Sequence, residues 1–132
     1  VPMPGWVDGF TGLTIESVEP VDHVLSAMPS IPVEVAASYR ARTRGLLGRD
    51  GIEGAMLLTP AGSVHTFGMR FPIDVAYLSR DMRVLAVRTM PPHRLGRPRP
   101  TARHVLESAA GAMARWGLCR GARVRIAPVA SE

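Results

Sequence analysis

The chain contains no lysine, no asparagine and no glutamine, and it has a single cysteine. One thiol cannot close an internal disulfide, so nothing marks an oxidising compartment, and a metal site built of thiolates is excluded. Cys119 itself reads as a small, half-buried apolar residue. No apolar run approaches the ~20 residues that cross a membrane. The opening VPMPGWVDGF lacks the basic stretch and apolar stretch of a signal peptide. A cytoplasmic location is expected, or a secreted one if a signal was removed earlier. A G-x-S-x-G nucleophile word and a phosphate loop are both absent, as are internal repeats and low-complexity tracts.

The missing lysine has a second consequence. All 16 basic residues are arginine, for a net charge of +5 and a pI near 10.9. Avoidance of Lys, Asn and Gln together points to a GC-rich coding bias and a bacterial source. The arginine excess then needs no nucleic-acid partner to explain it. Arginine still grips phosphates and carboxylates through its planar fork.

At 132 residues, 46% hydrophobic and 20% charged, the chain is long enough for one real core. Residues 1–30 read as an N-terminal arm, 31–128 as a single compact domain, and 129–132 as a tail. The arm is punctuated by proline and glycine around one apolar patch, VDHVLSAM (21–28), and closes at Pro29 and Pro32. IPVEVAAS then alternates, with Val33, Val35 and Ala37 on one face, which predicts a strand. Ser38 can cap a short helix over YRARTRGLLG that ends at Gly45 and Gly48.

Strands are predicted at AMLLT (55–59), at SVHTF with an interruption at Gly68, at FPIDVAYL, and at MRVLAVRTM (82–90) as a hairpin partner. The loop PPHRLGRPRPT (91–101) holds four prolines and three arginines and cannot be regular. ARHVLES reads as strand, and AAGAMARWG as a small helix stopped by Gly117. ARVRI reads as an edge-type strand with Ala122, Val124 and Ile126 inward and Arg123 and Arg125 outward. The expected fold is α+β and mainly β: a compact β-sandwich or barrel-like domain of about six or seven short strands with two short helices.

The words RGLLGR (44–49), GAMLL (54–58), HTFGMRFPIDVAYL (65–78), MPP (90–92), VLESAAG (105–111) and GLCRGARVRI (117–126), in this order, resemble the uncharacterised family called domain of unknown function 192. The resemblance covers roughly residues 33–126. Leu47 stands where that family usually has Met, TFGMRFPID replaces a Trp-Met-Lys-Asn-Thr form, and Ala122 stands where a late Asp is usual. The resemblance implies a compact sandwich or barrel-like fold and no particular activity.

Several polar residues sit where apolar ones are expected. Asp74 lies mid-strand with both faces covered, and burying a lone carboxylate is costly. It is therefore expected to pair with Arg44 or Arg49 of the RGLLGR turn, with Arg70 as a further candidate. Glu107 in VLE raises the same problem. His65 and Met69, four apart, would share one strand face and point into a pocket. Imidazole plus thioether would suit copper, but only His93 and His104 could add ligands from a distance, and no metal or cofactor is expected. The ligand-binding candidates are Arg44, Arg49, His65, Met69, Asp74 and Glu107. None is assigned a catalytic role.

Three functional classes follow. The first, and the expected one, is a non-enzymatic binding or interaction module for a small polar or anionic ligand. The second is an enzyme with hydrolase-like acid/base chemistry at the same residues. The third is an accessory protein that binds a macromolecule through the 91–104 loop. That loop has no interleaved aromatic for base stacking, so nucleic acid is not an expected partner. No membrane partner is expected, and the oligomeric state is open.

Overall fold

The computed structural model describes residues 12–19 and 30–128. The apolar patch at 21–28 and the tail at 129–132 lie outside the described residues. Among the described residues seven strands run as β1 (Leu13–Glu19), β2 (Ile31–Ala36), β3 (Ala55–Leu58), β4 (Ile73–Leu78), β5 (Val84–Met90), β6 (His104–Ala109) and β7 (Arg123–Pro128). Helix α1 (Tyr39–Arg44) lies between β2 and β3, and α2 (Ala112–Arg115) between β6 and β7.

The strands form one sheet in the order β5-β4-β6-β3-β2-β1-β7. Every pairing is antiparallel except β2 with β3. The sheet curls until its ends touch. Val84 N–H donates to Ala122 O at 2.8 Å, Gly121 N–H to Val84 O at 2.8 Å and Val124 N–H to Met82 O at 2.9 Å. Only an isolated bridge, Arg83 with Arg123, joins the edges there, so the sheet is not closed into a barrel.

Strands that alternate bury one face; strands apolar throughout bury both. β3 and β4 are buried at every residue, and the alternation divides their side chains between two cores. One face carries Leu13, Ile15, Val33, Val35, Leu57, Ala76, Leu78, Leu106, Met113 and Val124. The other carries Met56, Leu58, Met69, Ile73, Val75, Tyr77 and Val105, with Leu46 packed down onto them. β7 behaves as an edge strand should, with Val124 and Ile126 buried and Arg123 and Arg125 exposed.

The structure corrects the sequence reading in two strands. LTIESVE, inside the stretch read as an arm, is β1, and it lies between β2 and β7. SVHTF is not a strand. Residues 63–69 form a loop with only an isolated bridge, His65 to Leu95. Its path follows from Thr66, which is fully buried. The Thr66 hydroxyl donates to Pro91 O at 2.7 Å and accepts from Arg94 N–H at 2.8 Å. Gly68, at φ +78°, then turns the chain so that Met69 N–H returns to Thr66 O. Cys119, expected to be half-buried, is exposed.

Candidate functional site

A parallel pair cannot be joined by a tight hairpin; its connection must cross a face of the sheet. Between β2 and β3 that connection is α1 and the turn after it. Ser38 is extended at φ −74° and ψ 158°, and its Oγ accepts from Ala41 N–H at 3.1 Å, which starts the helix. Arg42 and Arg44 fall in the last turn, the favourable end for cations. The Arg42 guanidinium donates to Ala37 O. Gly45, at φ +49°, ends the helix in a conformation that suits glycine. No residue of α1 itself is buried; Leu46, just beyond it, is the plug.

This crossover covers the sheet incompletely. A cleft of about 380 Å³ remains between the 42–47 turn, the loop 60–65 and Met69, with Glu107 of β6 in its lining. Glu107 lies opposite Met56 on β3 and Val75 on β4, so apolar side chains flank it on both sides. It is 4% exposed. Among the described residues it has no hydrogen-bond or ion-pair partner. A Cβ on Gly45 would lie 3.4 Å from its Oε1, an ordinary contact distance, so the end of the helix passes directly over the carboxyl. Burial alone raises this carboxyl to about 7.

The rim is basic and aromatic. Arg44 and His65 line the cleft, and among the described residues Arg44 makes no ion pair. The His65 ring stacks on Phe67 at 5.5 Å between centroids. Tyr39, Phe67 and Leu95 are the large hydrophobics exposed in the described chain. Tyr39 lines the cleft, Phe67 stacks on a lining residue, and Leu95 bridges to that same residue.

Four of the six residues singled out in the sequence, Arg44, His65, Met69 and Glu107, therefore meet at one cleft. They meet for a different reason than strand periodicity suggests. Met69 is buried and His65 exposed, on a loop rather than on one face of a strand. Arg49 is elsewhere, held in a two-pronged pair with Glu34 at 2.8 Å for each contact. That pair lowers the Glu34 carboxyl and raises the Arg49 guanidinium.

Asp74 is buried, as expected, but it pairs with no arginine. Its Oδ1 accepts from Thr89 Oγ1 at 2.6 Å, and its Oδ2 from Gly111 N–H at 2.8 Å and Met113 N–H at 3.2 Å. It caps α2, whose own N-cap, Gly111, has no side chain to offer. Arg44 and Arg49 belong to the crossover on the other face of the sheet, so they cannot reach it. Arg70 contacts Asp50 instead, at the surface.

Of the remaining histidines, His93 Nδ1 accepts from Gly68 N–H at 3.3 Å and His104 Nδ1 lies 2.8 Å from Thr59 Oγ1. Among the described residues no three His, Cys, Asp or Glu side chains converge as metal ligands. Sequence reasoning missed Gly45 and Thr66 as makers of the cleft. A lone glycine ending a helix was visible, but not the carboxyl beneath it.

The family model described as Uncharacterized ACR, DUF192, matches residues 22–126. The chain belongs to the DUF192 family. Among curated proteins this DUF192 member is 31% identical over 84 residues to the UPF0127 protein PH1112 of Pyrococcus horikoshii, covering 60% of this chain and 73% of that protein. Two solved structures share its fold. One is a protein of unknown function from Novosphingobium aromaticivorans, with a TM-score of 0.69 at 21% identity over 86% of this chain and 82% of the other. The second is described as a putative transcription regulator from Sinorhizobium meliloti, with a TM-score of 0.70 at 20% identity over 92% and 97%. At these identities the likeness speaks for the fold alone. No helix among the described residues is long and apolar enough to cross a membrane.

Proposed function

We propose that this protein is a small-molecule binding module whose ligand completes Glu107. The observation that carries this reading is a carboxyl buried to 4% exposure, with no hydrogen-bond or ion-pair partner among the described residues, lining an open cleft. A buried polar group without a partner is costly. A ligand that brings an N–H or ammonium donor removes that cost. Arg44 and His65 at the rim suit a negative or acceptor group on the same molecule. The ligand class is thus a small polar compound with a donor at one end and an anionic or acceptor group at the other, such as an amino-acid-like zwitterion. The cleft volume of about 380 Å³ lies in the range of small-ligand sites.

The reading as a hydrolase with paired carboxylates has no support in this geometry. Asp74 lies opposite Ser108, and Glu107 opposite Val75, so the two acids project from opposite faces of the sheet. Two acids flanking one bond must share a cleft.

Amide-detected NMR titration with a panel of amino acids, amines and small carboxylates tests the proposal. A binder should shift Gly45, His65 and Glu107 together, and Glu107→Gln should weaken it by roughly tenfold, the worth of one charge-assisted hydrogen bond. Because burial raises Glu107 to about 7, a cationic donor should bind more tightly above pH ~7, and below it binding should release a proton. If every binder shifts other residues and leaves the cleft unmoved, the proposal fails.

A further inference from the structure

A second cleft, of about 440 Å³, lies between β5 and the loop 91–99. Its charged lining consists of Arg88, Arg94, Arg97 and Arg99, and no carboxylate lines it. Among the described residues none of the four makes an ion pair. Arg88 Nη1 donates to Val87 O at 2.8 Å and Arg94 Nη1 to His93 O at 3.4 Å, so these guanidiniums rest on neutral carbonyls beside them. Four like charges around one concavity repel one another, and a counter-anion relieves that repulsion.

Two further groups point to a ligand. Tyr77 lines the cleft, is 1% exposed, and its hydroxyl has no hydrogen-bond partner among the described residues. Burial raises that phenol, Arg99 and Arg88 pull it down, and the Glu107 carboxyl raises it in turn; with a net rise it remains a protonated donor at neutral pH. Arg99 lies over the Tyr77 ring with Cζ 5.2 Å from its centroid, and Arg99 Nε is buried with no acceptor. Gly96 closes the site. A Cβ there would stand 2.7 Å from the Tyr77 hydroxyl and 2.8 Å from Val64 O, so only glycine lets the loop pack this closely.

We propose that this cleft is an anion site for a compact, multiply charged phosphate group, held by Arg88, Arg94, Arg97 and Arg99 with the Tyr77 hydroxyl as a neutral donor. Planar guanidiniums match phosphate oxygens two at a time, and several charges need a ligand with more than one. The phosphate is that of a small molecule. The cleft is concave, and its one aromatic ring is buried beneath Arg99, which leaves no platform for stacking bases as single-stranded nucleic acid requires. No residue that lines the Glu107 cleft lines this one.

The full-length chain titrated at low salt with inorganic pyrophosphate, inorganic phosphate, sulfate and a short single-stranded DNA tests this, by calorimetry and by NMR of arginine Nε–H groups. The expected result is saturable pyrophosphate binding, weaker for phosphate and sulfate, with a shift of the Arg99 Nε–H signal. Arg97→Glu should weaken it by about tenfold or more, and Tyr77→Phe by about threefold to tenfold, the range for losing a charge-assisted hydrogen bond. Arg125→Glu, on the opposite edge strand β7, changes the net charge equally and serves as the control. If Arg125→Glu weakens binding as much as Arg97→Glu, bulk charge accounts for it and the proposal is overturned. It is equally overturned if pyrophosphate fails to saturate, or if DNA binds more tightly than pyrophosphate.

Discussion

Asp74 and Glu107 are equally buried, at 3% and 4% exposure, on adjacent strands and one residue out of register with each other. They face opposite sides of the same sheet. On one side three donors converge on Asp74, two of them from the start of α2. On the other, a crossover with no buried helical residue leaves Glu107 with none among the described residues. The difference is not in the acids but in what the chain lays over each face. A connection that presents its free N–H groups to the sheet turns an acid into architecture. One that passes over with its hydrogen bonds already made leaves the acid available.

The sharpest break of this comparison is Asp74→Ala. It strands three donors at once, at roughly 1–3 kcal/mol for each one left buried, so a loss of about 4 kcal/mol is expected in denaturant melts. An unchanged midpoint would show that α2 does not depend on the cap.

Next in size is the pH dependence of Glu107. Its folded value of about 7 lies above its ordinary 4.5, so the native state holds this proton more tightly than the unfolded chain does. The associated stability is full below pH ~4.5 and is lost as pH rises through ~7, for about 3 kcal/mol at ~1.4 kcal/mol per unit. Melts from pH 4.5 to 8 should show that decline, and Glu107→Gln should abolish it. Burial lowers His104, which adds an opposite trend below its ordinary 6.5 in both proteins. The difference between the two profiles therefore isolates Glu107.

Smaller effects follow at the arginines. Arg49→Ala removes a pair whose side chains are 38% and 27% exposed, and about 0.5–1 kcal/mol is expected at low salt, less at high salt. Arg44→Ala should change stability by less than ~0.5 kcal/mol, and its effect should simply add to that of Asp74→Ala. A coupling above ~1 kcal/mol in that double-mutant cycle would mean that the two faces communicate.

The sequence made the strands of the two-sided core legible, because runs such as IDVAYL and AMLL have no polar face to spare. It made the Ser38 cap and the inward set of ARVRI legible for the same local reasons. β1 was hidden because LTIESVE carries two glutamates and is broken by a register shift between Ile15 and Ser17, which spoils simple alternation. The loop 63–69 was misread because the hold on Thr66 comes from residues 91–94, far along the chain. Burial of Asp74 could be foreseen from its neighbours. Its partners could not, since backbone N–H groups leave no mark on a sequence. Four of six candidate residues reached one cleft because a polar residue in an apolar run signals a covered face, whatever element carries it.

The pairing of β1 with β7 sets an order of events during synthesis. Leu13 pairs with Pro128 and Glu19 with Arg123, so β1 waits for a strand made long after it. At roughly 5–20 residues per second on a ribosome, the interval is on the order of ten seconds. Throughout it, β1 has at most one neighbour, and the core face that holds Leu13 and Ile15 lacks the wall supplied by Val124 and Ile126. An unpaired edge beside uncovered apolar side chains is a template for association with other chains. The nascent protein is therefore most exposed to aggregation at β1, whose residues line neither cleft, until β7 arrives.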